Sequence, residues 1–138
     1  IANLGFEDAL VDFIHYPAKA ARPYVVAANP ELVNRIAGDD MMRGCTIAAN
    51  GFYGPQGRVL RCDIAVKDIN DRITDFRYEG QRITNYEMEG SAIAGLSLLM
   101  GHKAMTVCCV IAQRKVEAAN TDYKPRIKQL VQTVLERI

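Results

Sequence analysis

The chain has 138 residues, 49% of them hydrophobic and 24% charged, which is enough apolar material for one compact domain and is unlike the composition of a disordered chain. Its 17 Lys and Arg against 16 Asp and Glu leave a net charge of +1, so there is no general field to attract nucleic acid or an anionic membrane. Any anionic ligand must be bound by local design.

The opening Ile-Ala-Asn-Leu-Gly-Phe lacks the charged start and long apolar core of a secretion signal, and the Ile1 start is expected of a chain that begins partway through a longer protein. Residues 13–28 contain Pro17 and Pro23 and read as irregular, with a short strand expected around Tyr24 to Val26. Asn29 as N-cap, Pro30 at the first helical position and Glu31 in the first turn predict a helix over 30–37, stopped by Gly38. Gly44 to Asn50 reads as a strand running into a loop crowded with Gly51, Gly54, Pro55 and Gly57. Ile69, Ile73 and Phe76 share one helical face, which predicts a surface helix over 67–76.

Ile83 to Tyr86 predicts a strand, and Met88 to Met100 a helix buried on most sides, with Gly101 placed to stop it. Lys103 to Ala112 has the continuous Val, Ile, Cys and Thr character of a central strand covered on both faces. Its apolar run, Ala104 to Ala112, is far shorter than the roughly 20 residues of a membrane-spanning helix. Cys108 and Cys109 fall in this run as small core residues; the four cysteines show neither zinc-site spacing nor the density of a disulfide scaffold, and a reducing cytoplasm suits them. In residues 123–138, Ile127, Leu130, Val131, Val134, Leu135 and Ile138 form a stripe expected to face the core of a final helix. Strand and helix alternate without repeats or linkers, so a single layered α/β unit with helices on both sides of a sheet is expected over 1–138.

Three polar clusters fall at the ends of predicted strands, where α/β folds place their ligands. They are Phe52-Tyr53-Gly54-Pro55-Gln56-Gly57-Arg58, then Asn85-Tyr86-Glu87-Met88-Glu89-Gly90-Ser91, then Ile111-Ala112-Gln113-Arg114. Each has a bland reading when taken alone. The first is also a solvated turn, Glu89 also an acid favouring a helix dipole, and Arg114 also a solvated strand end.

Taken together and in order, Thr46 to Tyr53, Gln56, Arg58, Asn85 to Glu89 and Val110 to Arg114 resemble the uridine phosphorylases of the nucleoside phosphorylase-I family, from about Arg43 to the C-terminus. The resemblance implies a three-layer αβα fold with a central mixed sheet, present here in part as its C-terminal half. It implies that Gln56 and Arg58 hold the uracil base, that Glu89 grips the ribose hydroxyls with Met88 packing near the sugar and Glu87 a secondary polar contact, that Phe52 forms an apolar wall, and that Arg114 supports the base end. Uracil presents acceptor, donor and acceptor along one edge, which suits an amide and a guanidinium, and an ionised carboxylate can accept from two neighbouring hydroxyls.

The reaction implied is phosphorolysis, with phosphate as co-substrate and neither organic cofactor nor metal. Arg58 then stabilises the charge that builds on the leaving base, and Arg58 and Glu89 are the catalytic candidates. The family's phosphate-binding segments lie in its N-terminal half and have no match here, and family members are homo-oligomers, dimers or hexamers, that complete each site with a neighbouring subunit. Two alternatives stay open. One is a non-catalytic nucleoside-binding module or truncated homologue. The other is a purine phosphorylase or nucleosidase, which Gln56, Arg58 and the lack of an Asp in 111–114 disfavour.

Overall fold

The computed structural model describes residues 3–113, 118–119 and 121–138. Its first helix, α1 (Leu4–Phe13), has no counterpart among the predicted elements, although its signals are ordinary ones. The Asn3 side chain caps it by accepting from the Phe6 amide at 3.1 Å, and Phe6, Leu10 and Ile14 recur at i, i+4, i+8 on one face. All three are buried and form the centre of the core with Ile73 and Phe76. Phe76 is 1% exposed, with Phe6 and Phe13 edge-on to it at 5.3 and 5.7 Å between ring centroids.

Helix α2 (Pro30–Ile36) starts where predicted, with Asn29 accepting from the Leu32 amide at 3.2 Å. Strand β1 (Cys45–Ala48) runs into a 3₁₀ turn at Gly54–Gln56, and α3 (Ile69–Asp75) presents Ile73 to the core. Strands β2 (Arg77–Tyr78) and β3 (Gln81–Glu87) form a hairpin across Glu79 and Gly80, whose φ values of 47° and 77° give the doubly left-handed turn that matches strand twist. Strand β3 is the middle of the sheet, antiparallel to β2 and parallel to β1, so the architecture is α/β with a mixed sheet. The β1–β3 register pairs Ala48 with Glu87, and the Ala49 amide donates to the Glu87 carbonyl at 2.8 Å. The loops that follow these two strands therefore leave the same edge of the sheet side by side.

Helix α4 (Gly90–Leu99) follows β3, and Gly101 with φ 76° ends it as predicted. Its expected burial is not found: Ile93, Leu96, Leu98 and Leu99 are all more than half exposed. The central strand expected over 103–112 is also corrected. Only Ala112–Gln113 (β4) pairs, antiparallel to β5 (Ala118–Ala119) and apart from the three-stranded sheet. An unbroken apolar run reports that a segment needs cover, and supplies no ladder partner by itself. The Ala104 carbonyl instead accepts from the Asn29 amide at 2.8 Å, and Cys108 is exposed rather than a core residue.

The short strand expected at 24–26 is absent. The Val25 amide donates to the buried Glu7 carboxylate at 2.8 Å, a side-chain acceptor in place of a neighbouring strand. The final helix, α5 (Lys124–Arg137), has no buried residue, and its apolar stripe is left open at Val131 and Leu135. Polar contacts fasten it: Arg137 makes two 2.9 Å bonds to Asp40 and one of 2.8 Å to the Ile36 carbonyl. Among the described residues no helix is long and apolar enough to cross a membrane.

Candidate functional site

The loop after β1 is shaped by its glycines. Backbone bonds from the Gln56 and Arg58 amides to the Tyr53 carbonyl, both 3.0 Å, and from the Gly57 amide to Gly54 close a tight turn. Gly57 takes the left-handed conformation, φ 74°, and an added Cβ would lie 2.4 Å from the Asn70 amide nitrogen. The turn therefore needs glycine both for its dihedral and for its close approach to α3.

Within this loop the Arg58 guanidinium sits over the Phe52 ring, 4.0 Å from its centroid, and 5.6 Å from that of Tyr53. The two rings meet edge-on at 5.2 Å. Phe52 is half exposed and Gln56 only 3% exposed, so the turn shows an aromatic and a cation outward and keeps its amide residue inside. A cavity of about 1820 Å³ lies between the 17–28 segment, β1 and the 58–66 loop, with Arg58, Tyr53, Asn50 and Ser91 on its wall. That is ample for a nucleoside.

At the end of β3 the acidic residues divide their work. Glu87 Oε2 accepts from the Glu89 amide at 2.8 Å and from the Gly90 amide, capping the start of α4. Its Oε1 is buried and has no hydrogen-bond partner among the described residues. Glu89 and Met88 are exposed, and the Glu89 side chain makes no cap bond. The dipole-favouring role considered for Glu89 thus falls to Glu87, and Glu89 keeps its carboxylate toward solvent.

Close to Glu87, the Cys108 thiol, exposed as a residue but partly desolvated, is held above its ordinary value, first by that desolvation and also by the Glu87 charge, with a hydrogen bond from Asn85 opposing. A thiol kept protonated is a poor nucleophile. The structure brings Arg58 to the cavity wall beside Phe52 and buries Gln56 in the same turn; Glu87, Met88 and Glu89 stand at the end of the adjacent strand, off the lining of the cavity. Arg114 lies outside the described residues. Sequence reasoning missed Asn70, whose signal is its spacing one residue after Ile69 on α3, facing the turn rather than the core. Among the described residues no cluster of three or more His, Cys, Asp or Glu is arranged to hold a metal ion.

The family model described as the phosphorylase superfamily matches residues 3–137. The chain belongs to that superfamily. The superfamily match starts upstream of Arg43, where the resemblance to uridine phosphorylases begins, and takes in α1 and α2. Uridine phosphorylase A of Schistosoma mansoni is 41% identical over 73 residues, covering 51% of this chain and 24% of that relative. The matched part thus spans about a quarter of the relative's length. No solved structure matches the chain significantly.

Proposed function

We propose that this chain supplies the base and ribose pocket for reversible phosphorolysis of uridine to uracil and ribose 1-phosphate. The observation that carries the reading is the Arg58 guanidinium, which lines the cavity, stacks on the Phe52 ring and shares one turn with Gln56, beside the strand end that bears Glu87 to Glu89. In the reaction, phosphate oxygen bonds to the anomeric carbon while the bond from that carbon to N1 breaks, and its electron pair leaves with the base. Negative charge grows on the uracil carbonyl oxygens, where guanidinium donors stabilise it. The Glu89 carboxylate, exposed where β3 ends, accepts from the neighbouring ribose hydroxyls.

Phosphate is then a co-substrate, no organic cofactor or metal is required, and the setting is pyrimidine salvage in the cytoplasm by a homo-oligomer. The similarity to a uridine phosphorylase supports the pyrimidine choice, as does the lack of an Asp in residues 111–114 of the sequence to protonate a purine. The test is phosphate-dependent release of uracil from uridine by the purified protein, with inosine in parallel and the intact mass recorded on the same sample. Uracil release supports the proposal. Turnover of inosine alone overturns base recognition by Gln56 and Arg58. Uridine binding without turnover marks a nucleoside-binding module.

A further inference from the structure

Asn70 joins two parts of the proposed pocket. Its Nδ2 donates to the Gln56 carbonyl at 3.3 Å, and its Oδ1 accepts from the Tyr86 hydroxyl at 2.9 Å. A carbonyl only accepts, so the amide orientation is set by the Gln56 bond, and the phenol must then be the donor on the other side. The Gln56 carbonyl belongs to the peptide plane between Gln56 and Gly57, one residue before Arg58. Turning that plane reorients both base-side residues. Tyr86 lies in β3, immediately before Glu87, the strand's last residue, and Met88 and Glu89 beyond it; β3 is itself held by ladders to β1 and β2. Gly57 lets the turn press onto the Asn70 amide, since a side chain there would collide with it.

We infer that Asn70 is a positioning residue that locks the Gln56–Arg58 turn at a fixed distance from the ribose-side strand, and so sets the affinity for the uracil base. This rests on the proposed uridine pocket. Because the ladders hold β3, the turn is the part that moves when Asn70 is lost, and base affinity suffers while sugar affinity does not.

The test compares product inhibition in the wild-type enzyme with Asn70→Asp, Asn70→Ala and Tyr86→Phe. Asn70→Asp keeps the shape but opposes an acceptor to the Gln56 carbonyl, so inhibition by free uracil weakens about tenfold, as expected for a half-buried acceptor left unmatched. Inhibition by ribose 1-phosphate and the KM for phosphate stay at wild-type values. Tyr86→Phe weakens uracil less, and the Asn70→Ala/Tyr86→Phe double variant is no worse than Asn70→Ala, since the two act through one amide. Uracil and ribose 1-phosphate weakening together, or a lowered Tm with uracil inhibition unchanged, would overturn the positioning role and leave the pocket in place. A wild-type enzyme that neither releases nor binds uracil overturns the pocket itself, and this inference with it.

Discussion

In the part of the molecule built from α1, α3 and the three-stranded sheet, Phe6, Leu10, Ile14, Ile73 and Phe76 are nearly sealed from water, whereas α4 and α5 leave Ile93, Leu96, Leu99, Val131 and Leu135 open. Both parts carry helices with ample apolar surface. What differs is whether another element of the chain lies against that surface. The α1 stripe meets the rings of Phe76 and Tyr78. The α5 stripe meets little, and that helix is tied down at its end by Arg137 and by the Arg35 Nε bond to the Arg137 carbonyl, 2.9 Å. An amphipathic pattern states which face wants cover, and the tertiary arrangement decides whether it is covered.

The contrast is broken or sharpened by substitution. Phe76→Ala is expected to cost about 3–5 kcal/mol of stability in a urea titration, and Leu99→Ala less than about 0.5 kcal/mol. Comparable losses for the two would mean that α4 is covered in solution and that the two parts are alike. A smaller effect is expected at Glu7, which is 2% exposed, accepts from the Val25 amide and faces Arg22 Nε at 3.7 Å. Glu7→Ala strands the Val25 amide and should cost roughly 1–3 kcal/mol. A negligible shift would place the 22–26 segment outside the packed part.

The smallest effect concerns the tie on α5. The Arg137 guanidinium, chiefly by hydrogen bonding, holds the Asp40 carboxyl below its ordinary 3.8. A lowered folded value stabilises the protein at pH above 3.8, and the gain is lost as pH falls below that point through the lowered value. Arg137→Met should therefore remove the Asp40 share of the acid-side loss and leave that of Glu31 beside Lys103 and Asp68 beside Arg72, whose carboxyls are lowered in the same way. Parallel stability curves for wild type and variant below pH 4 or so would show that the pair does not fasten the helix.

Several elements were legible because their signals are local. Asn29-Pro30-Glu31 determines a helix start by capping chemistry, Gly101 a helix stop by its left-handed φ, and Ile83 to Tyr86 a strand by β-branched and aromatic character. The first two polar clusters do follow strands, β1 and β3, and Phe52 and Arg58 meet in one turn; the third was placed after a strand that does not form. The strand expected over 103–112 failed because a ladder needs a partner, and the partner is not encoded in the segment itself. The burial expected of α4 failed on the same ground. Helix α1 carries equally local signals, an Asn3 cap and the Phe6 and Leu10 stripe.

By itself the sequence determined the α/β character and the order of strand and helix around the two polar motifs. The parallel pairing of β1 with β3 is what sets the two motifs at one sheet edge, and that pairing joins residues such as Ala48 and Glu87 that are far apart in the chain. Likewise the division between Glu87 as helix cap and Glu89 as exposed carboxylate depended on where the α4 amides point. Local rules act over a few residues through hydrogen bonds and dihedral preferences; register, cover and the aim of a carboxylate follow from segments meeting across the fold, and only the tertiary structure decides them.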